Sequence, residues 1–191
     1  MATTDSPRAR LFVALELPSR VRTQLAEWRS EAVGERDDLR LVAPGSLHVT
    51  LAFIGSRPVS ELEAIAAAVS GAVSGLPAAR LRVAGVKAVP PRRPRLFALD
   101  LEDPDGGAAA VQAAVSEALA SGGYFKPEKR PFWPHVTLAR VRRGVKRVEP
   151  IALEPPSLDF EARRVTLYRS HLSPRGARYE ALERRELAPR S

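Results

Sequence analysis

The pentapeptide His-Val-Thr-Leu-Ala occurs twice in the chain, beginning at His48 and again at His135. Imidazole, with an ordinary pKa of about 6.5, works as a base when neutral and as an acid when protonated, both near pH 7. In a strand, alternate side chains share a face, so His48 and Thr50 point one way and Val49 and Leu51 the other, as do His135 and Thr137 against Val136 and Leu138. Two imidazoles and two hydroxyls brought around one point suit in-line displacement at phosphorus. One histidine activates the nucleophile, the other protonates the leaving oxygen, and the threonines donate to the non-bridging oxygens. Each proton-transfer role is typically worth about 10²–10⁴ in rate. A lone strand histidine is more often structural, but duplication with a threonine two residues on each time favours catalysis. Because the motifs are identical, they leave open which histidine is the acid and which the base.

Other chemistries are excluded or poorly served. With Cys 0, a thiolate nucleophile, a disulfide framework and cysteine-bound metals are out. The histidines number 3, without a His-x-His or His-Glu-x-x-His pattern, so zinc fits badly. No serine sits in a Gly-x-Ser-x-Gly elbow and no Gly-rich phosphate loop is present. The expectation is an enzyme with no metal and no cofactor. His171 has no counterpart in the first half and reads as surface or structural.

Upstream of each motif runs nearly the same strand, Arg10-Leu-Phe-Val-Ala-Leu-Glu-Leu17 and Arg95-Leu-Phe-Ala-Leu-Asp-Leu101. Each half therefore reads as strand, helix, strand, with duplicated units around 10–55 and 95–142. In the first, Ser19 is placed as N-cap of a helix carrying Val21, Leu25, Trp28 and Ala32 at helical spacing. In the second, Val111, Ala114, Val115, Ala118 and Leu119 form one stripe between Gly106-Gly107 and Gly122-Gly123. A further helix, with Ser60 and Glu63 as a capping box, leads to a strand from Arg80 to Val89. Strands are expected near Leu158 to Tyr168 and Arg178 to Leu182, with a turn at Ser173-Pro174-Arg175-Gly176. Pro90-Pro91-Arg92-Arg93-Pro94 reads as the boundary between lobes. The expected fold is α+β and bilobal: two pseudo-two-fold-related antiparallel sheets with outer helices around a central cleft. One domain would span 9–186, with tails at 1–8 and 187–191.

The 191 residues have the composition of a folded globular protein, 45% hydrophobic and 27% charged. Lys+Arg 30 against Asp+Glu 22 gives +8, and all the cations but Lys87, Lys126, Lys129 and Lys146 are arginine, whose planar fork suits phosphate. Arg92, Arg93, Arg95, Arg142, Arg143, Lys146 and Arg147 could track an RNA backbone or equally be solvated surface. Phe12, Phe53, Phe125, Phe132 and Trp133 could stack on bases, though alternation places Phe53 on the apolar face, in the core. No apolar run approaches the ~18 residues of a membrane span, and the polar start lacks a secretory pattern, so a cytoplasmic protein with no membrane partner is expected.

Arg10-Leu-Phe-Val-Ala-Leu-Glu-Leu-Pro18, Leu47-His-Val-Thr-Leu-Ala-Phe-Ile-Gly55, Arg130-Pro-Phe-Trp-Pro-His-Val-Thr-Leu-Ala-Arg140 and Tyr168-Arg-Ser-His-Leu-Ser-Pro-Arg-Gly-Ala-Arg-Tyr179 resemble the 2H phosphoesterase superfamily. Within it they are most similar to the RNA 2',3'-cyclic phosphodiesterase branch, also called 2'-5' RNA ligases. The resemblance covers nearly the whole chain. It implies an RNA-processing hydrolase acting on RNA or nucleotides with a 2',3'-cyclic phosphate end and leaving a 2'-phosphomonoester; a monomer is expected. By the same resemblance His48 is the proton donor and His135 the acceptor, Thr50 and Thr137 hold phosphoryl oxygens, and Arg140 contacts phosphate. Strict alternation points Arg140 away from His135, so that role requires a bulge or strand end. A 5'-hydroxyl replacing water would give 2'-5' ligation. The alternatives are the same chemistry on another cyclic phosphate or a 2'-5' oligonucleotide, and a non-catalytic RNA-binding module.

Overall fold

A computed structural model describes residues 7–34, 36–173 and 176–190. Along the chain come β1 (Arg8–Glu16), α1 (Ser19–Val33), β2 (Leu39–Leu41), β3 (His48–Pro58), α2 (Leu62–Ala72), β4 (Ala79–Val89), β5 (Leu96–Glu102), α3 (Gly107–Ser121), β6 (His135–Val141), β7 (Asp159–Ala162), β8 (Arg164–Ser173) and β9 (Gly176–Glu186). Short 3₁₀ turns at Pro44–Ser46 and Val59–Glu61 precede β3 and α2.

The strands hydrogen-bond in the order β7-β4-β5-β6-β3-β1-β8-β9, with β2 on β6, and every pair within these strands is antiparallel. Read outward from the middle, β6-β5-β4-β7 repeats β3-β1-β8-β9, so the sheet has two pseudo-equivalent halves, as the duplicated sequence requires. They join where β3 meets β6 through Val49 and Val136. Fold class and bilobal layout are as expected; the two sheets are continuous through that pair and through β2, which crosses from the first unit to pair with β6.

Apolar residues on the back of the motif strands, Val49, Leu51, Val136 and Leu138, are all at most 4% exposed. They share one core with Val21 and Leu25 of α1, Ile65 and Val69 of α2, and Val111, Val115 and Leu119 of α3. Burying Leu, Ile and Val side chains is worth about 1.5–3 kcal/mol each, which is what fixes the helices against the sheet.

Several local expectations are corrected. The Pro90–94 segment connects β4 to β5, which pair with each other, so it lies inside one half; the chain instead passes between halves before β4 and at Arg163. Ser19 is the first helical residue, because Pro18 already holds the extended cap conformation and its carbonyl accepts the Arg22 N–H at 3.0 Å. Ser60 makes no side-chain cap, since it sits within a 3₁₀ turn that runs directly into α2. Strand is broken at Arg163, dividing the expected 158–168 segment between β7 and β8, which lie in different halves. Arg8 already belongs to β1, whereas residues 1–6, Pro174 and Arg175 lie outside the described residues. The C-terminal segment is docked: Leu187 is 5% exposed, its N–H donates to Arg163 O, and Ala188 exchanges hydrogen bonds with Leu76 and Ala78.

Candidate active site

His48 and Thr50 are half-buried on one face of β3, and His135 and Thr137 on the same face of β6. Antiparallel register through Val49 and Val136 sets His48 on the Thr137 side and His135 on the Thr50 side. The two imidazoles therefore lie on a diagonal across the seam with the hydroxyls between them.

Both motif strands carry the same bulge. Thr50 pairs with Ala14 and Ala52 with Val13, so Leu51 has no partner on β1. Thr137 pairs with Ala98 and Ala139 with Phe97, so Leu138 has none on β5. Two successive residues, Leu-Ala, are buried at each bulge, and alternation resumes one residue late. The next side chain returns to the histidine face. In β6 that residue is Arg140, which meets the requirement for a bulge. In β3 it is Phe53, so its expected place in the core is wrong: it is 45% exposed and stacks on Phe12 at 6.3 Å, while Phe12 lies 4.9 Å from the His48 ring.

The histidines are anchored alike. His48 Nδ1 lies 2.7 Å from Ser46 O, and His135 Nδ1 lies 2.8 Å from Trp133 O. A carbonyl can only accept, so each Nδ1–H donates and each Nε2 is left for the site, as lone pair when neutral and as N–H when protonated.

Around this shared frame the environments differ. Tyr168 and Tyr179 flank His48 at 6.2 and 5.4 Å between ring centroids. Trp133 stacks on His135 at 4.2 Å and 16°, its indole N–H donating to Asp100 Oδ1 at 2.5 Å, and Lys87 pairs with the other Asp100 oxygen at 2.6 Å. Burial lowers the His48 pKa from 6.5 to about 4, against the Ser46 carbonyl, which raises it, and with the charges of His135 and Arg140 lowering it further. His48 is therefore neutral in the free protein at pH 7, and both of those charges act at His48.

Sequence reasoning missed the acids beside the histidines. Glu16 is the β1 partner of His48, and Asp100 is the β5 partner of His135. Burial raises the Glu16 pKa, but donation from Thr166, Tyr168 and Arg184 outweighs this and holds it below the ordinary value. The Tyr168 hydroxyl, 3.0 Å from Glu16 Oε1, is pushed up to about 12 by burial and by that carboxylate, so it stays a donor. The signal was present in the repeat itself, which aligns Leu15-Glu16-Leu17 with Leu99-Asp100-Leu101. His171 is on the β8–β9 hairpin, paired with Glu180 at 2.7 Å and apart from the motif strands. Of the other aromatics, Phe12 is buried at 2% exposure, and Phe125 and Phe132 pack half-buried against the core.

A duplicated antiparallel sheet presenting one His-x-Thr pair from each half on a single face defines a two-histidine phosphoesterase architecture. The chain belongs to the 2'-5' RNA ligase superfamily, whose family model matches residues 17–174. It is 34% identical over 181 residues to an RNA 2',3'-cyclic phosphodiesterase of Thermus thermophilus, covering 92% of this chain and 88% of that one. To the Escherichia coli protein of the same name it is 30% identical, covering 92% and 94%. Among solved structures, E. coli LigT complexed with 3'-AMP superposes with a TM-score of 0.77 at 28% identity, over 95% of this chain and 99% of that one. No helix among the described residues is long and apolar enough to cross a membrane.

Proposed function

We propose that this protein is an RNA 2',3'-cyclic phosphodiesterase, hydrolysing the cyclic phosphate end to a 2'-phosphomonoester by general acid–base catalysis between His48 and His135. The observation that carries it is the pair of His-x-Thr motifs on antiparallel neighbours, each imidazole anchored through Nδ1 and free at Nε2. The names of relatives at 34% and 30% identity support the substrate.

In this mechanism His135 Nε2 takes a proton from water as its oxygen bonds to phosphorus. The P–O3' bond breaks opposite, and the 3'-oxygen receives the proton on His48 Nε2. Thr50, Thr137 and Arg140 hold the non-bridging oxygens and offset the charge that gathers there. His48, neutral in the free protein, must gain its proton as substrate binds. An anionic phosphate beside it favours the charged form, opposing the burial that chiefly depresses it and the smaller effect of the His135 and Arg140 charges. Ligation is the same displacement with a 5'-hydroxyl in place of water: His135 takes its proton, its oxygen bonds to phosphorus, and the 3'-oxygen leaves with the proton of His48. Because both motifs come from one chain, the unit of function is a monomer, in a single domain over 9–186 to which the docked 187–190 segment adds; an RNA-end substrate fits a cytoplasmic location.

His48→Ala and His135→Ala are each expected to lower kcat by at least about two decades on an RNA ending in a 2',3'-cyclic phosphate. A substrate with sulfur at the 3'-bridging position needs no proton on its leaving group. It should restore His48→Ala and not His135→Ala; rescue of the other variant would reverse the roles. The residues take all proton transfers, so EDTA treatment should leave the rate unchanged. Full activity in either alanine variant would overturn the mechanism.

A further inference from the structure

The two ends of the site have diverged. At the position where the bulge returns the strand to the histidine face, one half presents the cation Arg140 and the other the aromatic Phe53. An RNA end is likewise two-sided, with the cyclic phosphate at its terminus and stacked bases leading away from it, so the phosphate belongs with Arg140 and the preceding nucleotide toward Phe53. Beyond Phe53 lies a groove of about 440 Å³ whose walls include Ile54, Arg57, Tyr124, Phe125 and Lys126, with Glu128 the acid among its lining residues. Its Phe53 wall stacks on Phe12, which in turn lies against the His48 ring, so the groove adjoins the His48 end of the site.

The surfaces in this groove are those that hold single-stranded nucleic acid. Arg10 lies over the Phe53 ring at 4.8 Å and Arg57 over the Tyr124 ring at 5.6 Å, so each aromatic already carries a guanidinium of the kind that sandwiches a base. Phe53 stands 45% exposed, where an ordinary phenylalanine would be covered. Lys126 is exposed at the rim, within reach of a backbone phosphate. Stacking there tolerates any base, because every base has a π face.

We infer that this groove takes the nucleotide immediately 5' of the one bearing the cyclic phosphate, making the protein selective for RNA ends over free cyclic mononucleotides. The inference rests on the cyclic-phosphodiesterase reading above. It assigns Phe53 and Tyr124 to stacking and Lys126 to the inter-nucleotide phosphate.

The test compares kcat/KM for a nucleoside 2',3'-cyclic monophosphate with that for a trinucleotide ending in the same cyclic phosphate. Wild type should prefer the trinucleotide by about ten-fold or more. That preference should collapse toward one in Phe53→Ala and shrink in Lys126→Ala, while Phe53→Tyr keeps it. Equal use of both substrates by wild type, or an intact preference in Phe53→Ala, overturns the groove assignment. Hydrolysis of neither substrate would instead overturn the parent reading. The groove is then judged by anisotropy with a fluorescent trinucleotide lacking the cyclic phosphate: a loss of affinity of about ten-fold in Phe53→Ala supports it, and equal affinity ends it.

Discussion

At the scale of single residues, the pseudo-symmetry of the site stops at the two imidazoles and their Nδ1 anchors. His48 lies among Phe12, Tyr168 and Tyr179 and is held neutral, whereas His135 is stacked on an indole fixed by Asp100 and Lys87. The difference has two pH signatures. The kcat/KM profile should be bell-shaped with its acid limb near pH 4, set by His48 in the free enzyme. That shape is the same for either assignment of acid and base, since a reverse-protonated pair gives an identical bell. For stability, a histidine whose folded pKa lies below its unfolded one binds protons more readily when unfolded. The protein should therefore lose stability as pH falls from 6.5 toward 4, and His48→Asn should flatten that slope in urea denaturation between pH 4.5 and 7. A slope unchanged in the variant would show that His48 is not the buried group responsible.

At the scale of elements, the bulges do the positioning, and each is supported from the other half of the molecule. Leu138 O, at the β6 bulge, accepts from Arg29 of α1 at 3.3 Å, and Leu51 O, at the β3 bulge, accepts from Gln112 of α3 at 3.4 Å. Arg29 also donates to Val42 O at 2.5 Å and is only 2% exposed, its own Nε left without a hydrogen-bond partner. Leu138 O keeps the Val42 N–H if Arg29 is removed, but Val42 O is orphaned. Arg29→Met should therefore cost about 1–3 kcal/mol, and Gln112→Leu about 1 kcal/mol, since its bond to Leu51 O is long at 3.4 Å and its 2.8 Å bond to the buried Ser116 hydroxyl is lost with it. Chemical denaturation of the two variants checks the order, and Gln112→Leu proving the costlier would refute this account of the bulges. The need for a bulge before Arg140 was legible in the sequence, because alternation plus a required direction implies a register slip. The matching slip before Phe53 has no required direction to signal it, so alternation alone points Phe53 into the core, one residue out of step with the bulged strand.

At the scale of the whole molecule, the duplicated halves do not occupy consecutive stretches of chain. β8 and β9 complete the first half only after β7 has completed the second, and the final residues return to the α2–β4 connection. This closure explains why the 187–190 segment is docked. Removing residues 187–191 exposes the Leu187 site and orphans its backbone partners at Arg163, Leu76 and Ala78. The truncated protein should be less stable by roughly 2–3 kcal/mol, read from the shift in thermal midpoint. An unchanged midpoint would mean that the docked segment contributes nothing to the fold.

The sequence by itself determined the chemistry and the symmetry: two His-x-Thr pairs, the repeated strands before them, and the helices between. These are local and periodic, and a repeat preserves its periodicity wherever the halves end up. Only the tertiary structure decided which residues beyond the motifs face the site, which acid stands beside each histidine, and that one imidazole is held neutral. Those outcomes depend on register slips of one residue, on pairing between strands as distant as β1 and β8, and on burial by side chains from both halves. None of these can be fixed until the two halves pair along Val49 and Val136.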